Sequence, residues 1–227
     1  MAPRRRIGLT GGIATGKSSV ARCLIERHGV PVLDADRFAR DALAPGTEAT
    51  AAVLRRYGPA VALPFGVGDP QALDRAALGR LVFADARERH WLETLVHPLV
   101  REAFSKALER WNEAPVVVLM IPLLFEAGLE GLCGEIWVVD CGSEAEQIQR
   151  LRSRNPMTLE EAQARVNAQW PMATKISRAD VVLDNSGSPE ALAKQVALAL
   201  AQGKAGSLKS DAQPAVAPIV RDDPPTA

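Results

Sequence analysis

Gly11-Gly12-Ile13-Ala14-Thr15-Gly16-Lys17-Ser18 fits the pattern G-x-x-x-x-G-K-[ST], and its flanks decide the fold. The apolar run Ile7-Gly8-Leu9 precedes it and the helical spacing of Val20, Cys23 and Leu24 follows, so the motif reads as strand, Gly-rich turn and helix. The glycines let the backbone turn tightly enough for successive N–H groups to point at phosphate oxygens, and the positive end of the new helix adds its field. Lys17 is placed to reach the β- and γ-phosphates, and the Ser18 hydroxyl to ligate Mg²⁺. Gly12, Ile13, Ala14, Thr15, Gly16, Lys17, Ser18 and Ser19 are thus the candidate nucleoside-triphosphate site.

Outward from this loop, four more apolar runs read as strands: Val30–Leu33, Val116–Ile121, Ile136–Val139 and Val181–Leu183. Helical patterns separate them, the alternation of an α/β fold with a parallel sheet covered on both faces. Pro31 lacks the N–H of a ladder bond, which puts the second strand at a sheet edge. Helix ends carry local signals. Ser143 with Glu146 and Thr158 with Glu161 have capping-box spacing, Ser188-Pro189 is an N-cap followed by a first-turn proline, and Gly29 and Gly203 close helices.

Two intervals are too long for simple crossovers. Residues 46–113 read as a helical insertion, with one helix starting near Asp74 and a long one through Trp91, Leu95 and Arg101 to Trp111. Residues 143–177 hold two helices and follow the fourth strand, the place of a lid in a P-loop kinase. The expected organisation is one domain over 1–203, with core segments of about 5–45, 114–142 and 178–203, and a disordered Ala/Pro/Ser/Asp-rich tail at 204–227.

The chain of 227 residues carries 27 Lys and Arg against 27 Asp and Glu, so no global field draws it to nucleic acid or anionic lipid. Arg4-Arg5-Arg6 reads as a solvated terminal run. No segment has the length and apolarity of a membrane span or a signal peptide, and the three cysteines lack metal-like spacing. The expectation is a cytoplasmic protein with reduced thiols, no nucleic-acid or membrane partner and no evident obligate protein partner.

Several separated motifs together resemble the dephospho-CoA kinase family over about residues 5 to 200. They are Gly8–Ile13 with the P-loop, Asp34-Ala35-Asp36 followed by Arg40, His97-Pro98-Leu99, Pro122–Glu126, Gln147 with Arg150 and Arg154, Gln169, Lys175, Ala179-Asp180 and Asp184-Asn185. The resemblance implies a P-loop kinase fold with a five-stranded parallel core, a helical CoA-binding region and a lid. It implies ATP-dependent phosphorylation of the ribose 3′-hydroxyl of dephospho-CoA, the last step of coenzyme A biosynthesis, with ATP and Mg²⁺. Another small-molecule or nucleotide kinase would share the P-loop and the lid; a P-loop GTPase would carry an Asn-Lys-x-Asp motif, and the chain has none.

The resemblance makes Asp36, with Lys17 and Arg150, the candidate catalytic set, Asp36 being the general base. Asp34, two residues earlier, is either a substrate-site group or a helix N-cap. Arg150 and Arg154 lie four apart on one helix face, set either to swing over the triphosphate or to pair with Glu144 and Glu146, while Arg152 points elsewhere. Arg40, His97, Arg101, Leu124 and Glu126 are the remaining substrate-site candidates: Leu124 to shape the pocket, Glu126 to bond a ribose or orient an arginine. Ala14 and Thr15 replace the family's usual Gly-Ser, and Ala14 is expected to keep a negative φ because it carries a Cβ. Without an acidic residue at Ile121-Pro122, Mg²⁺ is left to Ser18, phosphate oxygens and water, with Asp36 reaching it through a water.

Overall fold

A computed structural model describes residues 5–63, 69 and 71–202. The predicted end of the last helix at Gly203 and the predicted tail lie outside them. Five strands form one parallel sheet: β1 (Arg5–Gly11), β2 (Val32–Asp34), β3 (Val116–Met120), β4 (Glu135–Asp140) and β5 (Val181–Asp184), in the order β2-β3-β1-β4-β5. The second strand is an edge strand, as Pro31 predicts, and starts just after that proline. The Pro31 carbonyl still accepts from Val118 N–H at 2.9 Å, the half of the pairing that proline retains.

Alternation along the central strands divides the core between the two faces. Ile7, Leu9, Val118, Trp137 and Val139 pack against α1 (Lys17–His28) and the helix Pro189–Gln202. On the opposite face Val117, Leu119 and Ile121 meet α2 (Ala35–Ala42) and the long helix Ala86–Arg110. Strands buried on both faces need such near-continuous apolar runs.

Between β2 and β3 the chain forms α2, α3 (Glu48–Tyr57), α4 (Arg75–Ala84) and α5 (Ala86–Arg110). Asp74 caps α4 by accepting from Ala76 and Ala77 N–H. Val53, Val61, Leu73 and Leu78 give these helices a small core of their own. Between β4 and β5 lie three helices rather than two: α6 (Glu144–Arg154), α7 (Leu159–Asn167) and α8 (Met172–Ser177). The short third helix was masked in the sequence by Pro171, which starts it. Thr158 and Glu161 form the reciprocal capping box on α7, and Ser143 caps α6 through Glu146 N–H. After β5, Ser188 Oγ accepts from Ala191 N–H to start α9 (Pro189–Gln202).

Arg5 corrects the reading of a solvated basic run. It lies within β1, its side chain 16 % exposed, paired with Glu135 at 2.8 Å and donating to the carbonyls of Ala199 and Leu200. Glu135 in turn accepts from Trp137 Nε1 at 2.6 Å. An arginine beside a carboxylate 4 % exposed on the neighbouring strand becomes a core strut.

Candidate active site

At the C-terminal end of β1 the chain enters the Gly-rich loop, and α1 leaves it at Lys17. Gly16 caps α1 with φ +104°, and a Cβ there would collide with the Asn185 side chain, whose Nδ2 donates to Thr15 O at 2.8 Å. Only glycine meets both demands. Thr15 Oγ1 donates to Gly12 O at 3.0 Å. Ile13 has both backbone groups bonded by side chains: its N–H donates to Gln169 Oε1 at 2.7 Å, and its carbonyl accepts from Gln147 Nε2 at 2.9 Å.

Ala14 departs from expectation. Its φ is +61°, left-handed despite the Cβ. Such a backbone costs an L-residue roughly 1–2 kcal/mol and persists where the surroundings over-determine it. Here the Cβ packs with Leu151 of α6 and Ala162 of α7.

Lys17 Nζ donates to the carbonyls of Gly11 and Gly12 at 2.9 and 2.7 Å. Burial, then the charge of Lys175, pull its pKa down to about 8, while Asp36 and Glu126 act in the opposite direction. The charges of Lys175, Asp36, Glu126 and Arg154 all act on Lys17.

Asp36 stands in the first turn of α2, just past the end of β2, where acceptor groups gather in open α/β sheets. Its side chain is exposed. Loss of hydration, then the Asp34 carboxylate, raise its pKa above the ordinary range, against Arg40 and Lys17. Asp34 resolves as the N-cap of α2: its Oδ1 accepts from Asp36 N–H at 2.9 Å, and its Oδ2 lies 4.0 Å from Arg40. The residue that orients the helix also sets the electrostatics of its neighbour.

Glu126 is paired with a lysine rather than an arginine. Its Oε1 lies 2.7 Å from Lys175 Nζ and accepts from Trp170 N–H at 3.0 Å. Lys175 is completely buried, and it meets the carboxylate charge to charge without an aligned hydrogen bond. Lys175 is the buried residue of α8, a role hidden by its polarity. Met172 and Ile176 around it were the available signal of a buried helix face.

Leu124 corrects another expectation. It is fully buried in the core formed by Leu33, Phe104, Ile121 and Leu129, and offers no surface to a ligand. Leu123, the exposed neighbour, alternates outward.

Arg150 and Arg154 have different surroundings. Arg150 pairs with Glu146 at 2.6 Å and donates to Asn185 O at 3.0 Å, so it braces the loop that holds Thr15. Arg154, exposed at the end of α6, acts electrostatically on Lys17. Arg152 Nε reaches only Met157 O at 3.5 Å. His97 and Arg101 sit one turn apart on α5, His97 immediately before Pro98 within that helix. Burial lowers the His97 pKa, and Arg101 adds to the effect. A cavity of about 600 Å³ lies behind the loop, beside Gly12, Gln147, Gln169 and Trp170, away from Asp36.

Among the described residues no group of three or more His, Cys, Asp or Glu side chains is arranged to hold a metal. The donors near the loop, the Ser18 hydroxyl and the Asp36 carboxylate, suit an Mg²⁺ ion whose coordination is completed by phosphate oxygens and water.

A parallel sheet with a phosphate-binding loop after β1, a lysine in that loop, a carboxylate across the crevice and arginines on a helical arm defines a P-loop kinase. The chain belongs to the dephospho-CoA kinase family, whose model matches residues 5–190. It is 55 % identical over 194 residues to the dephospho-CoA kinase of Prochlorococcus marinus (strain MIT 9313), covering 86 % of this chain and 94 % of that one. It is 58 % identical over 184 residues to the dephospho-CoA kinase of Parasynechococcus marenigrum (strain WH8102), covering 81 % and 89 %. The crystal structure of TT1252 from Thermus thermophilus superposes with a TM-score of 0.74 at 40 % identity, covering 90 % of this chain and all of that one (100 %). The dephospho-CoA kinase from Campylobacter jejuni has the same fold, with a TM-score of 0.64.

Proposed function

We propose that the chain transfers the γ-phosphoryl group of ATP to the ribose 3′-hydroxyl of dephospho-CoA, with Asp36 as the general base. The observation that carries the role of Asp36 is its place: a carboxylate beyond the end of β2, close enough to Lys17 for the two charges to interact. The acceptor hydroxyl gives its proton to an Asp36 oxygen as its own oxygen attacks the γ-phosphorus and the bond to the ADP leaving oxygen breaks. The raised pKa brings this carboxyl nearer the operating pH, which favours proton transfer.

Backbone N–H groups of the loop hold the β-phosphate, and Lys17 spans toward the γ-phosphate. Ser18 would ligate Mg²⁺, with Asp36 nearby, and the ion would supply charge neutralisation at the phosphate oxygens. Arg154 and Arg150 face the same side of α6, and the lid (α6–α8) carries their charge to the triphosphate while excluding water. The helices from α3 to α5 hold the CoA moiety, with Arg40, His97 and Arg101 along its path. Three free thiols and the balanced charge support a cytoplasmic setting.

Asp36→Asn tests the assignment, because it keeps shape and removes the proton acceptor. With ATP and dephospho-CoA, kcat is expected to fall about 10²- to 10⁴-fold with little change in the KM of the acceptor. A variant with full kcat and only a weakened KM would make Asp36 a binding group.

A further inference from the structure

The loop that grips the triphosphate is bonded by two glutamines from outside it. Gln147 is buried at 3 % exposure on α6, and Gln169 lies in the turn between α7 and α8. One donates to the carbonyl of Ile13, the other accepts from its N–H, at 2.9 and 2.7 Å. Gly12 is shaped for this contact, since a Cβ there would overlap Gln147 Nε2. The residue after Ile13 is Ala14, with φ +61°. The two groups belong to the peptide units on either side of Ile13, Gly12–Ile13 and Ile13–Ala14, so bonding both fixes the Ile13 backbone and the plane from which Ala14 starts, and so the direction of the N–H groups that follow. Both pins belong to the segment between β4 and β5, which also carries Arg150 and Arg154.

We infer that Gln147 and Gln169 are positioning residues that hold the two peptide units flanking Ile13, so that the loop presents its N–H groups to the triphosphate in step with the lid. The inference rests on the loop being the phosphate site, but not on the role of Asp36. Neither side chain needs to touch the substrate. Their contribution is preorganisation, which appears in ATP recognition and leaves the acceptor untouched.

The two hydrogen bonds run in opposite directions, and that supplies a discriminating test. Glutamate at either position adds the same negative charge beside the Ile13 backbone at nearly unchanged volume. At 169 it keeps the acceptor that Ile13 N–H needs; at 147 it replaces a donor with an oxygen facing the Ile13 carbonyl. Q147E and Q169E are compared for ADP binding by calorimetry and for kcat/KM with each substrate, beside melting curves. The expected result is that Q147E weakens ADP binding and kcat/KM for ATP on the order of tenfold more than Q169E, the effect of one lost hydrogen bond and one opposed dipole. The KM for dephospho-CoA stays the same in both. Q147L, uncharged and without a donor, follows Q147E in direction if the charged variant is too unstable to assay. Equal losses in Q147E and Q169E, a reversed order, or a loss confined to dephospho-CoA would overturn the inference. Wild-type protein that bound no ADP would instead remove the phosphate-site reading beneath it.

Discussion

Lys17 shows how one side chain sets a pH limit on an enzyme. Its ammonium is desolvated and faces Lys175, which brings its pKa to about 8. Lys17 serves phosphate only when protonated, so kcat/KM for ATP, which reports the free enzyme, is expected to decline above about pH 8. Bound triphosphate adds negative charge and raises that pKa, so the fall in kcat lies at higher pH. The two profiles measured side by side check this; coincident limbs would mean that Lys17 does not feel the nucleotide. Lys17→Ala removes both limbs and on the order of 10²-fold or more of rate. The Lys17 position was legible from the motif alone, because glycine spacing dictates the loop. The left-handed Ala14 was not. Its conformation comes from Gln147, Gln169 and the packing of Leu151 and Ala162, all more than 130 residues away in sequence.

At the scale of elements, the arm made of α6–α8 separates structural from functional charge. Lys175 and Glu126 join α8 to the loop after β3 inside the protein. Lys175→Met leaves the Glu126 carboxylate without its cation and is expected to cost about 3–5 kcal/mol, while adding Glu126→Leu restores much of it because an apolar pair suits the site. Denaturant unfolding of the two variants measures this. On α6, Arg154→Ala lowers kcat with little change in melting temperature, since an exposed charge is worth at most about 1 kcal/mol, while Arg150→Ala lowers kcat and also the melting temperature, because its half-buried bond to Asn185 O is lost. Arg152→Ala stays at wild-type rate; an equal response at all three positions would reduce the helix to a solvated basic face. Strands and capped helices were readable because their signals are local: alternation, Pro31, Thr158 with Glu161. The third helix of the arm and the buried state of Leu124 and Lys175 depend on what packs above them, which periodicity does not contain.

Across the whole molecule the chemistry occupies the C-terminal ends of the strands, while the opposite end is tied by Arg5, Glu135 and the carbonyls of Ala199 and Leu200. Arg5→Ala strands Glu135, 4 % exposed, with only Trp137 Nε1 for company. A loss of about 3–5 kcal/mol is expected, read as a lower melting temperature. Kinetics at 25 °C remain those of the wild type, because no element of the crevice moves. Arg5 escaped the sequence reading because a basic run at a terminus looks the same whether or not an acid waits on a neighbouring strand. The strand order carries one more consequence, for the ribosome. β1 and β2 are synthesised first, yet they are not neighbours; β3, which separates them, begins at Val116. At roughly 5–20 residues per second the nascent chain spends about 5–20 s with β1 made and both of its partners missing. During that interval Ile7 and Leu9 have no sheet to enter, and the emerging polypeptide depends on its helices, or on a chaperone, to keep those apolar segments from finding another chain.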